Sequence, residues 1–186
     1  LARESYPELP VAPADTLPVP SAALRQMISR TMFAISAEES RFTLNGALLV
    51  LDPASMKMVA TDGHRLAHVM TAAPIEGLQS TQSALLPRKA MAEILKLAEA
   101  AGEDAVIHFA ADDNHLFFSA ADRSLITRKL TGSFPDYERV LPKEQTHVLV
   151  LLKDDIRSGL ERVAQFSDER SRAVKLQVGD GELKIY

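Results

Sequence analysis

Thr61-Asp62-Gly63-His64-Arg65-Leu66 is a polar hexapeptide caught between two runs that read as strands, residues 56–60 and 67–70. Asp-Gly between extended runs is the strongest short-range hairpin signal, because both central residues of the tight turn must accept positive φ. The spacing therefore predicts a surface turn at a strand end. A threonine, a histidine, an arginine and a leucine gathered there offer donors, an acceptor and an apolar side chain within a few ångströms, the make-up of a small recognition site. Asp62, His64 and His68 also form an Asp-x-His-x-x-x-His pattern, and a metal-dependent hydrolase built on them is the competing reading. Two histidines four apart fall on one face of a helix, the setting in which such a pair binds metal. Asp-Gly puts them on strand and loop, so no metal is expected.

The composition bounds what surrounds this turn. At 186 residues and 46% hydrophobic, the chain is globular and large enough for one full domain and part of another. It has no cysteine, which excludes disulfides and thiolate metal sites and leans towards a cytoplasmic protein. No apolar run approaches the roughly 18–20 residues that span a bilayer, so no membrane is expected. The net charge of −4 argues against coating nucleic acid by bulk electrostatics, though basic groups confined to one face remain compatible with it. With 5% aromatic residues and no tryptophan, a stacking platform for single strands is not expected. The chain opens on Leu1 and reads as a segment of a longer protein.

Five prolines in residues 1–20 predict an extended connector, which could also serve as a proline-rich docking segment for a regulator. Ser21 is placed to cap a helix running to about Ile35, with Leu24, Ile28, Met32 and Ile35 as its apolar stripe. Strands are expected over 41–51, 55–72 and 84–86. Pro87 then opens a second helix carrying Met91, Ile94, Leu95 and Ala98 inside and stopping at Gly102. Three further strands follow near 104–110, 115–119 and 123–131.

Beyond residue 132 the sequence echoes itself. Ser133-Phe134-Pro135-Asp136 repeats Ser5-Tyr6-Pro7-Glu8, and Phe166-Ser167-Asp168-Glu169-Arg170-Ser171-Arg172 repeats Ile35-Ser36-Ala37-Glu38-Glu39-Ser40-Arg41. Two echoes in the same order, offset by roughly 130 residues, indicate tandem modules of domain size. The later copy has its own helical stripe, Ile156, Leu160, Val163 and Phe166. Residues 182–186 alternate like a strand lacking its partners.

The helix–strands–helix–strands order, repeated at domain length, resembles the bacterial sliding clamp family, the beta subunit of DNA polymerase III. The residues that carry the resemblance are Leu44-Asn45-Gly46, Val59-Ala60-Thr61-Asp62-Gly63-His64-Arg65-Leu66-Ala67, Pro87-Arg88-Lys89 and Phe134-Pro135-Asp136-Tyr137-Glu138-Arg139-Val140-Leu141-Pro142. The implied fold is α+β: a DNA clamp module of two helices packed on antiparallel sheets, in tandem domains. The implied division is residues 1–14 as the tail of a first domain and linker, 15–143 as a complete middle domain, and 144–186 as the start of a third.

The resemblance implies a non-catalytic processivity factor without cofactors. Its homodimeric ring would encircle double-stranded DNA and tether the DNA polymerase III alpha subunit, the clamp loader and other proteins carrying a clamp-binding motif. The implied peptide pocket is walled by Leu44, Thr61, Gly63, His64, Arg65, Leu66, Pro135, Arg139 and Val140, with Arg41 and Thr43 at its rim. Apolar members suit one or two hydrophobic anchors, from which a short peptide draws most of its affinity. By resemblance Arg88 and Lys89 face DNA, and by helix spacing Arg25 and Arg30 join them. Glu38, Phe42 and Thr43 stand where family members often carry amide or tyrosine side chains near DNA.

Overall fold

The computed structural model describes residues 9–38, 40–167 and 173–186. The chain divides into two compact units, Leu1–Pro135 and Asp136–Tyr186. Residues 5–8, Glu39 and 168–172, which carry parts of the two sequence echoes, lie outside the described residues.

In the first unit β1 (Leu17–Pro20) leads directly into helix α1 (Ser21–Thr31). Then come β2 (Gly46–Asp52), β3 (Ser55–Thr61), β4 (Leu66–Thr71), β5 (Gln82–Pro87), helix α2 (Arg88–Ala101), β6 (Val106–Ala111), β7 (His115–Ala120) and β8 (Arg123–Arg128). Every strand pairing is antiparallel, giving one sheet in the order β4-β3-β2-β5 and another in the order β1-β6-β7-β8. The helices pack on one another, α1 reaching β3 and β4 while α2 reaches β5, β7 and β8. Leu24, Met27, Ile28, Met91 and Ile94 from the helices meet Leu49, Leu51, Met56, Met58, Leu86, Ile107 and Phe118 in one core. Each such aliphatic side chain, fully buried, contributes about 1.5–3 kcal/mol. Phe109 and Phe118 pack ring to ring across β6 and β7, their centroids 5.1 Å apart.

Several expectations change here. The connector expected over 1–20 ends early, because residues 17–20 form an edge strand on β6. The Ser21 amide donates to the Ala105 carbonyl at 2.9 Å, so with period two the odd residues 17 and 19 aim their N–H groups at β6. Pro18 and Pro20, which have none to give, take the outward positions, where an edge strand tolerates proline. Ser21 does not cap α1; its hydroxyl donates to the Ala98 carbonyl near the end of α2, and Pro20 occupies the cap position. The helix stops at Thr31, whose hydroxyl donates back to the Met27 carbonyl at 2.8 Å, and a 3-10 turn of Met32–Ala34 follows. Residues 42–44 are another 3-10 turn, so the first long strand starts at Gly46. No other residue fits at 46: a Cβ there would lie 2.0 Å from the Leu86 carbonyl oxygen on β5. Pro87 is the last residue of β5, and α2 begins with Arg88, whose N–H donates to Asn45. Gly102 stops α2 with φ 99°.

The second unit contains a 3-10 turn (Tyr137–Arg139), helix α3 (Lys153–Ala164) and strands β9 (Leu176–Val178) and β10 (Leu183–Ile185). The terminal strand does have a partner, since β10 pairs antiparallel with β9. Gly159 on α3 lets Ile185 settle against the helix, where a Cβ would sit 2.8 Å from the isoleucine Cδ1. Ile156, Leu160 and Val163 are half-buried, whereas Phe166 is exposed.

Candidate functional site

The Thr61 to Leu66 bend joins β3 to β4, as its sequence predicts, but it is not the two-residue turn expected from Asp-Gly. Residues 62–65 form a four-residue loop in which Gly63 alone takes positive φ, at 91°. Side chains close it in place of backbone pairing. The Asp62 carboxylate accepts from the amides of His64 and Arg65 through Oδ1, at 2.9 and 3.0 Å, and from Arg65 Nε through Oδ2 at 3.0 Å. This is an Asx turn extended by an ion pair. The two amide bonds, then the guanidinium, hold the Asp62 carboxyl down at about 2 from its ordinary 3.8. From the other side, the half-exposed loop is anchored by Thr61, which is buried; its hydroxyl donates to the Arg65 carbonyl at 2.7 Å and accepts from the Gly63 amide at 3.1 Å.

The segment before β2 grips the same loop. Arg41 Nη1 donates to the Asp62 carbonyl at 3.1 Å while its Nε pairs with Glu38 at 2.9 Å. The Ser36 amide donates to the Leu44 carbonyl, fixing the 3-10 turn of Phe42–Leu44 beside it. Leu44 and Leu66 are half-buried, presenting apolar surface to solvent. Gly132 packs on Thr43, where a Cβ would lie 2.6 Å from the threonine methyl, so the irregular segment leading to Pro135 passes this rim. Of the residues predicted to form a pocket, the first unit thus ties Arg41, Thr61, Gly63 and Arg65 into one bonded cluster, with Thr43, Leu44, His64, Leu66 and Pro135 on the segments that flank it. Arg139 and Val140 belong to the second unit: Arg139 pairs with Asp136 at 2.8 Å and Val140 is 69% exposed.

Sequence reasoning missed two participants. Asp62 organises the loop, a role its spacing to two backbone donors could have revealed. Phe33, in the turn after α1, lies under the Arg65 guanidinium with 5.6 Å from the ring centroid to Cζ. No sequence period links residues 33 and 65. The metal reading finds no support. Both Asp62 oxygens are occupied by the loop itself, and among the described residues no three His, Cys, Asp or Glu side chains cluster as ligands.

On the helices, Arg88 and Lys89 are exposed at the first turn of α2, and Arg30 is exposed near the end of α1; none of the three has an ion pair among the described residues. Arg25 is tied to Glu103. Among the described residues no helix is long and apolar enough to cross a membrane.

A two-helix, two-sheet module followed by the start of another is the architecture of DNA clamps. The profile of the DNA polymerase III beta subunit central domain matches residues 18–136, and that of its C-terminal domain matches 138–186. The chain belongs to the DNA polymerase III beta subunit family, the beta sliding clamps. It is 37% identical over 193 residues to the beta sliding clamp of Caulobacter vibrioides, covering 95% of this chain and 51% of that one. To the Pseudomonas putida beta sliding clamp it is 32% identical over 186 residues, 100% of this chain and 50% of the relative. The crystal structure of the Pseudomonas aeruginosa beta subunit superposes with a TM-score of 0.91 at 31% identity, again over 100% of this chain and 50% of that one. The chain spans about half the length of the relatives it matches.

Proposed function

We propose that this chain is the middle and beginning-of-third-domain portion of a DNA sliding clamp. Residues 15–143 form the middle domain, 144–186 open the third, and 1–14 are the tail of the first with its linker. The complete protein closes as a homodimeric ring around double-stranded DNA in the cytoplasm. It performs no catalysis; it tethers the polymerase III alpha subunit, clamp loader and other motif-bearing proteins. The observation that carries this is the ordered match of two consecutive clamp domains along one chain. The charge balance agrees with it. A topologically held ring has to slide, and many phosphate contacts would add a steep salt-dependent affinity. A net charge of −4 with Arg30, Arg88 and Lys89 on the helices meets that need, Arg25 contributing at most through its Glu103 pair.

The peptide site we assign to Leu44, Thr61, Gly63, His64, Arg65, Leu66, Pro135, Arg139 and Val140, rimmed by Arg41 and Thr43. Leu44, Leu66, Pro135 and Val140 would receive the hydrophobic anchors, while the backbone opened by Gly63 and the charges of Arg65 and Arg139 hold peptide carbonyls and carboxylates. By isothermal titration, a short peptide beginning Gln-Leu and ending Leu-Phe is expected to bind the full-length parent, and Leu66→Asp or Val140→Asp to abolish that binding. Unchanged affinity in both variants rejects the assignment. Retention of the parent on circular but not linear DNA tests the ring.

A further inference from the structure

We infer that Phe33 is a positioning residue for the peptide site: its ring and the Asp62 carboxylate together hold the Arg65 guanidinium so that its terminal nitrogens face an incoming peptide acceptor. The inference rests on the peptide reading of the bend proposed above. Arg65 offers five N–H donors on a long, flexible stem, and an exposed arginine spends its affinity on being ordered. Here two groups order it in advance. Asp62 Oδ2 takes the Nε donor at 3.0 Å, and the Phe33 ring lies 5.6 Å from Cζ, within the range of a cation–π contact. The two Nη groups have no partner among the described residues, and they are the edge that recognises a carbonyl or carboxylate in bidentate fashion.

Phe33 is itself well placed to act as a fixed platform. Its turn is pinned by the Ile35 amide on the Met32 carbonyl and by the Ser36 amide on the Leu44 carbonyl. Ala34 and Ile35 on either side of the turn's end are buried and anchor the backbone from which the Phe33 ring, 59% exposed, projects. The same short stretch thus links Leu44, on the apolar side of the site, to Arg65 on the polar side. What the ring contributes is orientation of a donor, so the residue it serves is Arg65 and the ligand chemistry it selects is an acceptor on the peptide.

Two measurements test this, on wild type, Phe33→Leu, Phe33→Tyr, Arg65→Met and the double variant Phe33→Leu/Arg65→Met. In NMR spectra of the chain without peptide, the Arg65 side-chain protons are shifted upfield by the ring in wild type and Phe33→Tyr and return to solvent-exposed arginine positions in Phe33→Leu. In titrations of the full-length parent with the Gln-Leu…Leu-Phe peptide, Phe33→Leu weakens binding about two- to fivefold, as a contact of this kind supports. Phe33→Tyr restores wild-type affinity, and Phe33→Leu has no further effect once Arg65 is Met. Unshifted Arg65 protons in wild type, or an equal loss from Phe33→Leu with and without Arg65, overturns the proposal. Because the spectra need no peptide, a wild-type titration that fails rejects the peptide reading and leaves the Arg65 resonances to decide on Phe33.

Discussion

The Thr61 hydroxyl donates to the carbonyl of Arg65 across the bend at 2.7 Å and accepts from the Gly63 amide, making one buried side chain the inner clasp of the whole site. Thr61→Val keeps the shape and removes both bonds. It is expected to cost about 1–3 kcal/mol by urea denaturation, since a donor and an acceptor lose their partner. The same variant loses peptide affinity in the full-length parent, whereas Thr61→Ser keeps most of both.

Asp62 gives the bend a pH dependence. Its carboxyl sits at about 2 when folded and at 3.8 ordinarily, so folding favours the charged form. The stabilisation is fully present above 3.8 and is lost as pH falls through about 2. A carbon-detected NMR titration of the Asp62 carboxyl should give a midpoint near the lower value. Asp62→Asn, which keeps an acceptor for the His64 and Arg65 amides, preserves the loop better than Asp62→Ala.

Gly46→Ala tests the register of β2 on β5. A Cβ 2.0 Å from the Leu86 carbonyl oxygen, with the Leu130 side chain only 2.6 Å away, forces the strands apart. The expected loss is about 3 kcal/mol or more, visible as a lower urea midpoint or as insoluble protein.

Ala121 carries φ 52° in the two-residue connection between β7 and β8, a conformation that strains any residue with a Cβ. Ala121→Gly relieves it at some cost in chain entropy. A net gain of about 0.5–1 kcal/mol in the same assay is expected.

The chain spans about half the length of the relatives it matches, so the proposed ring needs surfaces beyond those present here. Light scattering after size exclusion is expected to give the 20.3 kDa monomer for this chain. A stable particle of twice that mass would mean that the surfaces present here suffice for association.

Much of this was legible in the residues. Leu24 and Ile28 of α1, Met91, Ile94 and Ala98 of α2 and the Gly102 stop survive in the structure, because core burial and helical period agree there, whereas Met32 and Ile35 lie past the end of α1. The reading failed where one side chain overrode local pattern. Prolines suggested linker, yet Pro18 and Pro20 pair at a sheet edge that needs no outward donors. Asp-Gly suggested a tight turn, yet the Asp62 carboxylate caps a longer loop. The bend and its rim were foreseeable from motif residues close in sequence. The stacking of Phe33 under Arg65 was not, since it depends on where α1 gives way to the 3-10 turn of Met32–Ala34.

The placement of Pro18 and Pro20 reaches further than local geometry. With their ring nitrogens turned outward, Pro18 and Pro20 leave the β1 edge of the β1-β6-β7-β8 sheet with carbonyls but no donors for a stranger's strand to zip onto. A protein synthesised with a long open rim would invite its own copies to stack into fibres. Two imino acids in a four-residue strand work against that pairing along β1.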